Sequence, residues 1–391
     1  MIRVFSSRLK WNLPLNPLSA LLEDKRRAGK RVLDLTESNP TRAGLDYPVE
    51  RILAALADRR GLLYQPDPRG LVAAREAVAA FYRQRGVEVT PERILLTAST
   101  SEAYAYLFKL LADPGCQILT PRPSYPLFEY LAALESVEVV QYPLRYDGAW
   151  HIDFPALERA ITPRARAIVV VNPNNPTGSF LKREELARLE ALAAARDLAI
   201  LSDEVFADYV WAEDPERVAT LVGRGVPALT GGVFSMSGLS KIAGLPQMKL
   251  GWIVVSGPQA ETGMERLELI ADTYLSVATP VQWALGELLD ASAEVRSQII
   301  DRTRANLAHL RSALEGASAG VLNAEGGWYS VVQMPRTRTE EEWALELLGA
   351  HDVLTQPGFF YDFESEAFLV VSLLTRPEEF AEGARRLRAV L

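Results

Sequence analysis

The feature that most restricts the fold is a repeated change of hydrophobic period through the middle of the chain. Short apolar runs, Ile94–Thr97, Gln117–Thr120, Ala167–Asn172, Leu198–Ser202 and Leu250–Val255, alternate with helical patterns. Ile168-Val169-Val170-Val171 is an unbroken β-branched run, as expected for a parallel strand covered on both faces. Arg183–Arg196 carries Leu186, Leu189 and Ala193 on one face of a helix. Such βα alternation predicts an α/β protein with a three-layer, mainly parallel sheet, and parallel sheets bind ligands at the carboxyl ends of their strands.

Length adds a second restriction. A chain of 391 residues exceeds the roughly 250–300 that one core sustains, so two domains are expected. From about Thr279 the pattern turns to long helices, followed by Gly326-Gly327-Trp328-Tyr329 and strand-like segments near Val331 and Phe368. We therefore expect a large domain over 41–280. A smaller α+β domain is expected from both chain ends, 1–40 and 281–391. The net charge of −8 argues against nucleic acid or an anionic membrane surface as partner. No run approaches the roughly 20 apolar residues of a membrane span. The N-terminal stretch lacks an apolar signal core, and the single cysteine, Cys116, has no partner for an intrachain disulfide. A cytoplasmic location is expected, and no metal site.

Chemistry-bearing residues cluster where the strands end. Ser237-Gly238-Leu239-Ser240-Lys241 places a lysine on a turn flanked by small residues. An amine withdrawn from water is the nucleophile that carbonyl cofactors need, although most lysines are solvated surface groups. Leu198–Ser202 runs into Asp203-Glu204, an apolar strand ending in two carboxylates. Asp203 can face a pyridinium nitrogen, whereas alternation turns Glu204 the other way, towards a structural role. Asn172-Pro173-Asn174-Asn175-Pro176-Thr177-Gly178 follows the IVVV strand. Its composition suits a turn, yet it is unusually dense at the exit of a buried strand. Ser99 and Glu102 have capping-box spacing, and the same helix start can bind a phosphate through free N–H groups and the hydroxyls of Thr100 and Ser101.

In this order and spacing, the segments Asn-Pro-x-Asn-Pro-Thr-Gly, Ser-Asp-Glu-Val-aromatic and Gly-Leu-Ser-Lys resemble the fold-type I pyridoxal-phosphate enzymes, specifically the class I/II aminotransferases. The resemblance runs from about Leu35 to Thr375. It implies pyridoxal 5'-phosphate held as a Schiff base on Lys241, Asp203 behind the ring nitrogen, Asn175 on the ring's phenolic oxygen and Tyr125 stacked on the ring face. It implies phosphate contacts from Ser99, Thr100, Ser101 and Ser240, and from Tyr64 into a neighbouring subunit, hence a homodimer with shared sites. The implied activity is ping-pong transfer of an amino group between an amino acid or amine and a 2-oxo acid. Carbon–sulfur lyase-like β-elimination is the alternative, and a non-catalytic binding protein a third reading.

Departures from the pattern limit what the resemblance implies. Phe206 stands where a tyrosine usually donates to the phenolic oxygen, so the Schiff base is expected to stay protonated to higher pH. Lys249 replaces the usual phosphate-binding arginine, and Gly238 a phosphate-binding serine. Val370 occupies the position of the arginine that grips the substrate carboxylate, and Thr339 to Thr375 contains no lysine or arginine. Arg42 is the candidate replacement, set against an ordinary solvated loop residue.

Overall fold

The structure, a computed structural model, describes residues 4–9, 15–224 and 230–391. Of the N-terminal stretch assigned to the smaller domain, 1–3 and 10–14 lie outside the described residues. After a short strand β1 (Leu33–Asp34), the strands β2 (Ile94–Thr97), β3 (Gln117–Arg122), β4 (Glu138–Tyr146), β5 (Trp150–Ile152), β6 (Ala165–Val171), β7 (Ala199–Asp203), β8 (Val233–Gly238) and β9 (Gly251–Ser256) follow in chain order. They form one sheet in the order β2-β9-β8-β7-β6-β3-β4-β5. Its centre, β8-β7-β6-β3-β4, is parallel, whereas β9 runs against both β2 and β8.

Alternation along these strands produces the three layers. Val169 and Leu201 face the helices Thr100–Leu111 and Ala260–Asp272, sharing a core with Leu107, Phe108, Met264 and Leu267. Their neighbours Ile168, Val170 and Ile200 face the opposite layer, where Leu186, Leu189 and Ala193 present the buried face of helix Arg183–Arg196. Each strand interior is thus apolar on both sides, which is what the β-branched run requires. The expected α/β class and mainly parallel sheet are observed. At the β2–β9 edge, Ile94, Leu96, Trp252 and Val254 pack on Val78 and on Leu285 and Leu288 of helix Thr279–Ala291.

A further core draws on both chain ends. Leu18, Leu33 and Leu35 pack with Leu310, Trp343, Leu347, Val371, Phe380 and Leu387. Strands β10 (Gly320–Val321), β11 (Tyr329–Gln333), β12 (Val353–Leu354), β13 (Gln356–Pro357) and β14 (Phe368–Ser372) complete this region. A four-stranded sheet runs β10-β11-β14-β13, and β1 pairs in parallel with β12, Leu33 against Val353.

Candidate active site

Because β2, β3, β6, β7 and β8 all point the same way, the segments that follow them meet along one edge of the sheet. The register makes this explicit. Val171 pairs with Asp203, Asp203 with Met236, and Gly251 with both Thr97 and Gly238. The residues gathered there are Tyr125 after β3, Asn175 after β6, Asp203 at the end of β7, Ser240 and Lys241 just past β8, and Ser99, Thr100 and Ser101 after β2.

Lys241 sits on a single helical turn, Leu239–Ile242, and its amine points into an aromatic box. Nζ lies 4.8 Å from the Trp328 ring centre and 5.7 Å from that of Phe206. Trp328 packs in turn on Phe206 at 5.3 Å and on Tyr209 at 5.2 Å. The Tyr209 hydroxyl donates to the Lys241 carbonyl at 2.5 Å, and the Tyr47 hydroxyl to the Gly244 carbonyl at 2.7 Å. These bonds fix the turn from below. Burial pulls the Lys241 amine down to about 8, opposed by attraction to Asp203.

Asp203 shows the complementary shift. Burial raises its carboxyl to about 6, against the opposing pull of the Val205 N–H, the Tyr104 hydroxyl and Lys241. The Tyr104 hydroxyl donates to Oδ2 at 3.0 Å and the Val205 amide to Oδ1 at 3.1 Å. Tyr104 is itself buried, which holds its hydroxyl well above its ordinary value and keeps it a donor. Glu204 turns away. Ser202 Oγ and the Leu221 amide donate to its carboxylate, each at 2.8 Å, and the Thr220 hydroxyl donates to its other oxygen.

The asparagines divide by the use of their side chains. Asn172 donates to the Val218 carbonyl and accepts from the Leu181 amide, clamping the turn. Asn174 donates to the Pro123 carbonyl at 3.0 Å, joining this turn to the one that carries Tyr125. Asn175 Oδ1 is buried and has no partner among the described residues. The turn ends at Gly178, with φ +69°, where a Cβ would come within 2.5 Å of the Gly326 carbonyl oxygen. A Cβ at Gly326 would meet the Tyr209 carbonyl oxygen at 2.1 Å. Close glycine contacts therefore set Trp328 against the asparagine turn.

At the other side of the edge, Ser99 caps helix Thr100–Leu111. Its hydroxyl accepts from the Glu102 amide at 3.2 Å, and Glu102 accepts from the Ala98 amide at 2.6 Å. With the Ser99 hydroxyl engaged, Thr100 and Ser101 provide the remaining hydroxyls and helix-start N–H groups. Gly238 has a steric reason. A Cβ there would lie 2.8 Å from the Gly251 Cα, so the approach of β9 excludes a serine. Lys249 is exposed, in the left-handed region at φ +49°, two residues before β9 on this same edge.

Tyr125 is 46% exposed beside Asp203. Tyr64, 74% exposed, is not part of this cluster; it lines a separate groove with Pro66, Tyr106 and Leu275. Val370 is fully buried in the apolar cluster that includes Phe206, Trp328 and Tyr329. Arg42 is exposed, and its side chain has no partner among the described residues. Its loop borders the cluster through Ala43 and Leu45. Sequence reasoning misses Tyr104, Tyr209 and Trp328, which fix Asp203 and Lys241 in place. No local spacing signals them.

A buried amine and a buried carboxyl at the carboxyl edge of this three-layer sheet define a fold type I enzyme. The chain belongs to the aminotransferase class I and II family, whose profile matches residues 30–387. It is 33% identical over 272 residues to the glutamate-pyruvate aminotransferase AlaA of Escherichia coli strain K12, covering 68% of this chain and 65% of that one. The chain thus spans about two thirds of that curated relative. It is 26% identical to the tyrosine aminotransferase of Bos taurus over 97% of this chain and 91% of that protein. A Thermus thermophilus aspartate aminotransferase mutant superposes over the full length of both chains with a TM-score of 0.86 at 25% identity. Members of this family use pyridoxal phosphate. The site suits that group. Asn175 leaves a buried oxygen unpartnered, the Gly238–Gly251 contact opens a cradle beside a helix start, and an amine and an acid face one another.

Proposed function

We propose that this protein is a pyridoxal-phosphate-dependent aminotransferase, moving an amino group between an amino acid or amine and a 2-oxo acid in ping-pong fashion. The observation that carries the reading is the Lys241 amine, pulled down to about 8 in an aromatic box and attracted to Asp203. At neutral pH such an amine is neutral in about one molecule in ten, far more often than an ordinary lysine, so Nζ can both attack a carbonyl carbon and take up a proton.

In this reading backbone N–H groups at the start of helix Thr100–Leu111, the hydroxyls of Thr100, Ser101 and Ser240, and the charge of Lys249 would hold the cofactor's phosphate. Ser99 contributes through its cap. Asn175 would orient the ring through its amide, Tyr125 would cover one face, and Phe206 would pack beside the ring without donating a hydrogen bond. Asp203, steadied by Tyr104, would hold a proton or a negative charge behind the ring nitrogen. When bound, pyridoxal phosphate supplies an electron-accepting ring that stabilises negative charge on the substrate's α-carbon. Lys241 Nζ would move a proton to and from that carbon, while Phe206, Tyr209 and Trp328 would exclude water from the transfer.

A homodimer with shared sites belongs to the same reading. The consecutive exposure of Leu62, Leu63 and Tyr64, at 89%, 60% and 74%, supports a covered face there, from which Tyr64 would reach the neighbouring site. A cytoplasmic setting and a division into a large domain, 41–280, and a smaller one from 1–40 and 281–391 are also part of this reading. The core shared by Leu18, Leu33 and Phe380 supports that division, although Leu285 and Leu288 pack with the large body. Among the described residues no helix is long and apolar enough to cross a membrane.

The test is a half-reaction screen. Protein reconstituted with pyridoxal phosphate is mixed with a panel of amino acids and amines, and both absorbance and the oxo product are followed. Formation of the aminated cofactor with stoichiometric oxo acid, lost in Lys241→Ala, is expected. Release of pyruvate and ammonia with no acceptor would instead establish elimination and refute transfer.

A further inference from the structure

Among the described residues, the wall of the site beyond Phe206 carries no cation. From Thr339 to Thr375 the chain has neither lysine nor arginine, and the residues facing the box are Trp328, Tyr329, Val331 and Val370. Yet an amino acid brings a carboxylate, and a carboxylate in an apolar enclosure needs hydrogen-bond donors. Besides the buried Trp328 Nε1, which has no partner among the described residues, an uncommitted pair of donors lies beside this wall. In the antiparallel pairing of β13 with β14, Gln356 stands opposite Val370, which in turn pairs with Val331 of β11. Directly opposed side chains share a face with Cβ atoms about 5 Å apart. Gln356 and Val370 therefore share the sheet face that also carries Val331.

The amide is also held. The Tyr361 hydroxyl donates to Gln356 Oε1, and burial keeps that hydroxyl protonated, well above its ordinary value. With Oε1 occupied, both N–H bonds of Nε2 are left with no partner among the described residues. Tyr361 lies close enough to Tyr329 and Tyr125 for their charges to interact, and its carbonyl accepts from the Ser124 amide at 2.9 Å. That contact ties the Gln356–Tyr361 pair to the turn carrying Tyr125. Tyr329 meets Phe206 at 6.2 Å, and Phe206 meets the Lys241 amine. Tyr361, the partner of Gln356, thus belongs to the same cluster as Phe206 and Trp328, the rings beside the amine.

We propose that Gln356, held by Tyr361, is the group that reads the carboxylate end of the substrate. This rests on the aminotransferase reading, and it deepens that reading to a substrate class. A neutral amide lacks the charge and the two-pronged geometry of a guanidinium. It therefore discriminates weakly between a carboxylate and an uncharged carboxamide. The site takes donors whose carboxyl end is either charged or amidated, with an apolar body against Trp328 and Tyr329.

Binding of amine-free probes tests this apart from turnover. The holoenzyme is titrated with 3-phenylpropionate and with 3-phenylpropionamide, followed by tryptophan fluorescence, since Trp328 lines the enclosure. Wild type should bind both with Kd values within about tenfold of one another. Gln356→Leu should weaken both by about tenfold while keeping the cofactor's visible band and the thermal midpoint. Gln356→Glu should weaken the acid by about thirtyfold or more through like-charge repulsion and the amide by only a few-fold, a split that a structural role would not give. Tyr361→Phe should cost a few-fold on both. A wild-type preference for the acid of about a hundredfold, selective loss of the acid in Arg42→Ala, unchanged affinities in Gln356→Leu, or binding of neither probe would each overturn the proposal. Failure of transamination with normal probe binding would sink the aminotransferase reading alone, while normal transamination with any of those outcomes would sink only this one.

Discussion

Removing the amine at position 241 should make the cofactor-free protein more stable. In the folded chain this lysine titrates near 8 rather than 10.5, chiefly because it is buried. Its folded form therefore binds the proton less readily than the unfolded chain does. Below pH 8 that difference subtracts from stability, and at roughly 1.4 kcal/mol per pH unit the full cost is about 3 kcal/mol. Above pH 10.5 the amine is neutral in both states and the cost vanishes. Lys241→Met keeps the length and apolar stem but carries no charge. It forgoes the contact with Trp328 at 4.8 Å, which favours the charged amine by about 1 kcal/mol in part. The expected gain is about 2–3 kcal/mol at pH 7, declining between pH 8 and pH 10.5. Equilibrium urea unfolding of the apo forms at pH 7 and pH 10 measures it. A variant no more stable than wild type at pH 7, or one whose advantage is the same at both pH values, would show that ionisation is not the cause.

Other consequences are more local. Phe206→Tyr should supply the missing donor and lower the pH midpoint of the holoenzyme's visible band by about one pH unit, read by spectral titration; equal midpoints would refute the assignment. Gly326→Ala should be strongly destabilising, by about 3 kcal/mol or more, because the new carbon would sit 2.1 Å from the Tyr209 carbonyl oxygen, and it should displace Trp328 and so quench or shift its fluorescence. Lys249→Arg should tighten pyridoxal phosphate binding by a few-fold in equilibrium dialysis, whereas Lys249→Ala should loosen it by about tenfold.

The legible parts of this protein are those with a local cause. Ile168–Val171 announces a strand buried on both faces, and the helix Arg183–Arg196 buries the very leucines its period selects. Ser99 and Glu102 form the cap their spacing predicts. Strand Val233–Gly238 is not visible in the same way, because Ser235, Ser237 and Gly238 break its apolar run although every residue in it is buried. Gly238 looks like a lost serine in one dimension and becomes an enforced glycine once Gly251 lies against it. Tyr104 and Trp328 are far in sequence from Asp203 and Lys241, and only the sheet order brings them together. Gln356 escapes for a related reason, since its position is set by pairing with Val370 rather than by any motif.

The absence of a cation at position 370 also bears on the amine itself. Two influences act on Lys241, burial lowering its proton affinity and Asp203 raising it. A guanidinium on the facing wall would add a like charge inside the same enclosure and push the amine lower still. With Val370, Gln356 and Tyr361 there instead, the balance is left to burial and to Asp203, which is itself raised to about 6. Between about pH 6 and pH 8 both groups are then largely charged and attract one another. An uncharged wall thus weakens the hold on a carboxylate while keeping the amine within reach of neutral pH. A single feature of the chain, a stretch free of lysine and arginine between residues 339 and 375, links the breadth of substrate to the titration of the lysine.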